Sequence, residues 1–249
     1  MQYFPIANEP DREQYWRERL AAEGFEVLDE YDPSATIVTI GGDGTILYAA
    51  RTYPDPTILP VRAGTSKGNR AAFDVDLLVE KLTALEDGSE SLVSTSFQTL
   101  TAFRDGAELR GGFRALNEVS LHHQSPVLAT TFAVRVDDDG TVREFPELIG
   151  DGVLVATPFG STGYFRAITG QTFSDGFGIA FNNIHTPRDT PEMIRCTESA
   201  VVELEVLTTK RSSGAVLTRD DDDTPYQLEA NEPITVRAGD RTVDLLDIE

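Results

Sequence analysis

The sequence predicts an α/β domain over residues 1–92 followed by a β-rich domain over residues 93–249, with the last strand a candidate to pack back on the first domain. Two observations predict this. Helical and strand patterns alternate through the first part of the chain, as expected of an α/β unit with a largely parallel sheet. Beyond residue 92 the pattern changes to strands joined by turn clusters such as RDG, DDDG and DDDDTP. In order, residues 11–24 read as a helix stopped by glycine. Residues 35–40 form a short apolar, β-branched run ending in glycines, and 45–53 a helix that must stop near Pro54. Residues 57–61 read as the next strand. Residues 75–85 read as a helix whose apolar face is Leu77, Leu78, Val79, Leu82 and Leu85, with Gly88 as its stop. The strand segments that follow include FRALNEVSLHH, ATTFAVRV, GVLVATP, AVVELEVLT and PITVRAG, with a helix start at GSTGYFRAI.

The 249 residues suffice for a sizeable core, and the 40% hydrophobic content fits a folded chain. With 42 acidic against 21 basic residues and a net charge of -21, nucleic acid and anionic membrane surfaces are excluded as partners. Lys67, Lys81 and Lys210 are the only lysines, and aspartates cluster in turn-like runs at 137–139 and 220–223. Such an acidic coat suits a salt-loaded cytoplasm, where screening relieves like-charge repulsion. Cys196 is the only cysteine, so no intrachain disulfide and no cysteine-built zinc site can form. The segment MQYFPIANEPDREQYW has no basic leader or apolar stretch, and no later run approaches the ~20 apolar residues of a membrane span; a soluble, cytoplasmic protein is expected.

The stretch TIVTIGGDGTILYAA, residues 36–50, delivers a buried strand into a glycine turn and then a helix. Glycines let backbone N–H groups approach a ligand, and a helix N-terminus favours anions, so phosphate is the natural occupant. An aspartate there, Asp43, would repel phosphate unless it binds a metal ion or accepts a proton from an attacking hydroxyl. The alternative is a plain helix cap made by Asp43. Neither a G-x-x-x-x-G-K-[ST] loop nor a G-x-G-x-x-G fingerprint is present. In GDGVLVATPFGSTGY, residues 150–164, Asp151 precedes an apolar strand, and Thr157, Thr162 and Tyr164 could present hydroxyls to a polar ligand while Gly163 allows backbone approach. Capping of a helix by Ser161 or Thr162 is the alternative. Asn117-Glu118 pairs an amide with a carboxylate, groups suited to ribose hydroxyls or a base edge; Asn231-Glu232, followed by Pro233, reads as a turn. His122 and His123 are adjacent on a strand and point to opposite faces, so they cannot share a metal.

Taken in order, GGDGT at 41–45, Asn117-Glu118 and DGVLVATPFGSTGY resemble the NAD kinase family, whose pattern is GGDGT, an Asn-Glu pair, then aspartate-glycine followed by TP-x-GSTAY. GGDGT alone is shared with lipid kinases and phosphofructokinase-like enzymes; the Asn-Glu and GST-x-Y elements single out NAD kinases. The resemblance implies an NAD kinase-like two-domain fold and transfer of the γ-phosphate of ATP, or of another donor, to the 2'-hydroxyl of the adenosine ribose of NAD. Asp43 would accept the hydroxyl proton or orient the hydroxyl, and Gly42, Gly44 and Thr45 would cradle phosphates. NAD would be held by Asp43, Gly44, Asn117, Glu118, Asp151, Thr157, Thr162, Gly163, Tyr164 and Ala167, the last at a position where the family often has serine. Magnesium would come with ATP, the protein supplying no metal ligand and no prosthetic group, and a homodimer or homotetramer would form. Two departures stand out. The family's G-x-N-x-G-x-L-G-F loop is here AGTSKGNRAAF, residues 63–73, where Lys67 and Arg70 could instead meet phosphate, and Gly163 replaces alanine. A non-catalytic NAD(P)-binding paralogue, and a lipid or sugar kinase sharing only GGDGT, are the competing readings.

The charge balance carries its own prediction. The protein is expected to unfold or lose activity when transferred from concentrated KCl to dilute buffer, followed by circular dichroism; an unchanged melting curve across that range would contradict it.

Overall fold

The computed structural model describes residues 1–64, 70–208 and 214–249. The elements, in chain order, are β1 (Gln2–Ala7), α1 (Pro10–Ala22), β2 (Glu26–Val27), β3 (Thr36–Gly41), α2 (Asp43–Thr52), β4 (Thr57–Arg62), β5 (Phe73–Asp74) and α3 (Leu78–Asp87). There follow β6 (Leu92–Arg104), β7 (Ala107–Glu108), β8 (Arg114–Ala115), β9 (Glu118–His123), β10 (Thr130–Asp138), β11 (Thr141–Gly150), β12 (Gly152–Ala156) and α4 (Tyr164–Thr169). The chain continues with β13 (Phe177–Asn182), β14 (Met193–Cys196), β15 (Val201–Val206), β16 (Ala215–Arg219), β17 (Tyr226–Leu228) and β18 (Ile234–Ile248). Two compact units emerge, one of residues 1–97 with 241–249 and one of residues 98–240.

In the first unit the strands run parallel in the order β2-β1-β3-β4, and residues 244–245 of β18 pair in parallel with the start of β4. All six residues of β3 are buried, as expected where a parallel strand is covered on both faces. Tyr3, Leu20, Val38, Ile40, Leu59, Leu78 and Leu82 share one core with Leu246 and Ile248 from the far end of the chain. The helix expected at 75–85 is a short 3-10 turn followed by α3, closed by Gly88 at φ 79 as a left-handed cap. β1 is a strand the sequence reading does not anticipate. Its Pro5 pairs with Val38 of β3, but β2 pairs only with Gln2 and Tyr3, so the missing N–H falls where no ladder continues on that side.

The second unit contains an antiparallel sheet in the order β14-β13-β12-β9-β16-β17. Another set of antiparallel strands is ordered β11-β10-β15-β18, the last contributing residues 234–236, and β6 pairs with β7, β8 and β18. In β15, VVELEV, inward valines and leucine alternate with half-exposed residues, the period of a sheet with one buried face. Phe132, Val134, Leu148, Val153, Val155, Phe177, Ile179 and Val202 pack into one core from both strand sets. On the opposite face of β12 and β13, α4 buries Phe165 against Leu154, Ala156 and Ala180. Among the described residues no helix is long and apolar enough to cross a membrane.

Leu246 tests the contribution of β18 to the first core. Only 6% exposed, it is expected to cost about 2–4 kcal/mol when cut to alanine, read as a lower urea midpoint.

Candidate active site

In the first unit β3 passes into α2 without a loop. Gly42 is the N-cap and makes no side-chain cap bond, so Asp43 is the first helical residue rather than its cap. The helix begins two residues earlier than the sequence suggests, and the capping alternative for Asp43 is set aside. Thr45 is buried and its hydroxyl donates to Asn8 Oδ1 at 2.7 Å. A Cβ on Gly41 would collide with that hydroxyl, so the first glycine of GGDGT serves the turn itself. Thr45 accordingly supports the turn through its side chain, and Gly42, Asp43 and Gly44 are left half-buried at the helix start. Asp43 Oδ1 is shielded from solvent and receives no hydrogen bond from the described residues. It lines a narrow crevice with Thr39, Gly41, Gly42, Pro60 and Ala71.

Arg70, next to that crevice, is near enough for the charge of Asp43 to act on it: burial lowers its pKa from the usual arginine value, and Asp43 opposes the shift. Ser66, Lys67 and Gly68 of the altered loop lie outside the described residues.

In the second unit the register of β9, β12 and β13 sets Gly152 opposite both His122 and Asn182. Asp151 thereby meets His123 Nδ1 at 3.4 Å and accepts from Asn183 Nδ2 at 3.0 Å. The Tyr164 hydroxyl accepts from Asn182 Nδ2 at 3.2 Å, and its ring stacks near His122 with centroids 5.8 Å apart. The His122 pKa is lowered, by burial first and by His123 second, against a smaller opposite effect of Asp151. Tyr164 and Ala167 line a cleft of about 530 Å³ with Asn182, Asn183, Ile184 and Thr190. Thr162, Gly163, Tyr164 and Ala167 are all exposed around the start of α4. Asn182 and Asn183 escape the sequence reading; the paired amides after the strand in GIAFNNIH are the signal that could have marked them. His122 is in the sequence reading only as a rejected metal ligand, and here it is a neighbour of Tyr164.

Thr157 is fully buried, and its hydroxyl donates to Leu116 O at 2.5 Å and accepts from Gly160 N at 3.1 Å. Its observed work is to join the GST loop to the bend before β9 that carries Asn117. Gly160 makes the same join tighter, since a Cβ there would strike the Asn117 carbonyl. Neither Ser161 nor Thr162 caps α4: Gly163 is the N-cap, and the Ser161 hydroxyl bonds Pro158 O and Phe173 O. Gly163 itself has φ -92, and a Cβ would stand 3.3 Å from Gly160 O. The alanine found in the family pattern would need only a small adjustment here.

Asn117 is half-buried and Glu118 is 8% exposed, with Oε2 lacking a hydrogen bond from the described residues. Burial, then the charges of Asp220 and Asp221, push the Glu118 carboxyl from 4.5 up to about 8. Near neutral pH it is a buried acid able to donate as well as accept. A larger cleft of about 730 Å³ around Asp138, Arg195 and Cys196 lacks such unspent groups. There Arg195 is paired with Asp175 and the Phe177 carbonyl, and Asp138 with Thr197 and Arg143.

The fold is shared with solved structures. The chain superposes on the crystal structure of an NAD kinase from Archaeoglobus fulgidus in complex with ATP with a TM-score of 0.73 at 19% identity, covering 98% of this chain and 93% of that one. Against yeast NADH kinase complexed with NADH the TM-score is 0.78 at 16% identity, covering 99% and 83%. In sequence it is 30% identical to NAD kinase 2 of Bacillus licheniformis over 176 residues, 68% of this chain and 61% of that protein. It is 36% identical to the NAD kinase of Brucella suis over 132 residues, 51% of this chain and 47% of that protein. The chain thus spans less than two thirds of the length of these curated relatives. No family model matches the chain. The α/β and β-rich architecture expected from the sequence is observed, and its structural neighbours are NAD kinases.

Glu118 makes the second unit sensitive to pH. Between 4.5 and about 8 the folded protein holds a proton that the unfolded chain releases, so this contribution to stability is complete below 4.5 and lost as pH rises to about 8. Replacing Glu118 with Gln is expected to flatten the fall in urea midpoint across that window; an unchanged slope would assign the fall to other groups.

Proposed function

We propose that the protein is an NAD kinase, transferring the γ-phosphate of ATP or another phosphoryl donor to the 2'-hydroxyl of the adenosine ribose of NAD to give NADP. The observation that carries this reading is the Oδ1 of Asp43 at the start of α2, shielded and without a hydrogen bond from the described residues. A ribose hydroxyl is the partner that oxygen lacks: it would donate its hydrogen to Asp43 and leave its oxygen lone pair directed at phosphorus. The N–H groups opening α2 favour the negative phosphate chain, and Arg70 adds a positive charge beside the same crevice. Asn117 and protonated Glu118 are assigned to the hydroxyls and base edge of NAD. Asp151, Thr162, Gly163, Tyr164 and Ala167 are assigned to the rest of the dinucleotide. Thr157 is assigned to shaping the loop that carries them, in line with its buried hydroxyl.

Among the described residues no group of three or more His, Cys, Asp or Glu side chains gathers as a metal site. Magnesium is therefore proposed to enter on the nucleotide phosphates, where it supplies charge neutralisation in a protein of net charge -21. The acidic composition supports a halophilic, cytoplasmic setting, and a homo-oligomer is proposed from the resemblance.

The test is NADP formation from NAD, ATP and magnesium in concentrated KCl. Wild-type protein is expected to turn over, and Asp43→Asn to lose about 10²–10⁴-fold in kcat while still binding NAD. Equal activity in the variant would remove Asp43 from the chemistry. A wild-type protein that binds NAD without producing NADP would instead be the non-catalytic paralogue.

A further inference from the structure

The acidic run at 220–223 reads in the sequence as part of a charged coat, yet its first member is turned inward. The Asp220 carboxylate accepts three consecutive backbone N–H groups: Leu116 at 3.1 Å on Oδ2, and Asn117 at 2.7 Å and Glu118 at 3.3 Å on Oδ1. The Asp220 N–H in turn donates to Glu118 O at 3.0 Å. This follows from register, since Arg219 pairs with Val119 and the chain turns out of the ladder one residue later, with Asp220 at φ 45. The turn is braced in several ways. Arg219 Nε binds Asp222 Oδ2 at 2.8 Å, its guanidinium donates to Gly112 O at 2.6 Å, and Asp222 accepts from the Thr224 N–H and hydroxyl.

We infer that Asp220 is a positioning residue for the dinucleotide, holding the backbone of Asn117-Glu118 so that the two side chains are preset for ligand. The inference rests on the NAD-binding role proposed above. Asn117 is gripped at both ends of its backbone, its N–H by Asp220 and its carbonyl by the Thr157 N–H at 2.9 Å. The neighbour held by the same carboxylate, Glu118, is more than nine-tenths buried and keeps Oε2 unpaired among the described residues. A rigid frame around an unspent polar atom serves a partner from outside the chain. The job needs a carboxylate: it has two acceptor oxygens for three converging N–H groups, whereas an amide offers one oxygen and turns its NH₂ toward a donor.

The test compares wild type with Asp220→Asn, Asp220→Glu and Asp221→Asn, titrating NAD and ATP separately by calorimetry in concentrated KCl and following amide hydrogen exchange at residues 116–118. Asp221→Asn removes a neighbouring charge while keeping the three-way acceptor. Expected for D220N is a Kd for NAD raised roughly tenfold or more, with ATP affinity kept and faster exchange at 116–118. D221N should stay within about threefold of wild type, and D220E, which keeps a carboxylate, should recover part of the loss. ATP binding reports that each variant is folded. The role is overturned if wild type binds NAD and D220N binds it equally well, or if D221N loses as much as D220N, which would make bare charge the cause. Wild-type protein that binds no NAD overturns the nucleotide reading together with the role built on it. If D220N does not fold, D220E decides: affinity and exchange equal to wild type, despite the displaced carboxylate, would overturn the role.

Discussion

The hydroxyl of Thr45 occupies the space where a side chain on Gly41 would stand. That contact lets α2 start directly after β3, because no loop is needed to carry the chain around a Cβ. The Thr45–Asn8 hydrogen bond then ties the turn to the end of β1, so two neighbouring parallel strands fix the first turn of the helix. The position of Asp43 is a product of this arrangement. With Gly42 as the cap, the aspartate is released from the capping work such residues usually do, and its carboxylate faces the crevice instead. A helix start costs its orphan N–H groups unless something satisfies them, and a bound phosphate does so while gaining from the helix dipole.

The second unit applies the same economy through backbone contacts. Leu116, Asn117, Thr157 and Gly160 are knitted by main-chain or hydroxyl hydrogen bonds and by one close glycine approach. The motif residues of GDGVLVATPFGSTGY therefore divide by task. Thr157, Gly160 and Ser161 are consumed in holding the loop, and Thr162, Gly163 and Tyr164 stay exposed, Tyr164 lining a cleft with Asn182, Asn183 and, beyond the motif, Ala167. Aspartates that composition alone assigns to a salt-tolerant surface also hold structure. Asp138 receives Thr197 and Arg143, Asp137 closes the turn at Gly140, and Asp222 closes the turn at Thr224. The Asp222 pKa is lowered to about 2: burial works against this, but the bonds from Thr224 and Arg219 outweigh it.

Legibility followed the range of the interactions. β3, β4 and α2 were readable because a continuous apolar run, a glycine turn and a proline stop are all local signals. β1 was not, because a proline usually argues against a strand, and only the early end of β2 makes Pro5 acceptable. At the candidate site the residue types were readable but their duties were not. Thr157 looks as available as Thr162 until the Leu116 carbonyl is seen above it. Asp220 lies 103 residues from Asn117, and only the antiparallel register of β9 with β16 joins them. Tyr15 and Trp16 are neighbours in sequence, yet Trp16 packs on the first core while Tyr15 is 53% exposed.

β18 enters as a partner of β15 and ends in the first unit, where Leu246 and Ile248 join its core. The first unit is thus interrupted after residue 97 and resumed at 241, with the whole second unit spliced into it. Synthesis on the ribosome proceeds in the opposite order to completion. The α/β strands emerge first, but the start of β4 waits for its β18 partner until residues 241–249 have been made, while the inserted β-rich unit has all of its own strands sooner. A nascent chain of this topology carries an α/β sheet that lacks this strand through most of translation, while the GGDGT turn, at the other end of β3 and β4, already has its Thr45–Asn8 bond available.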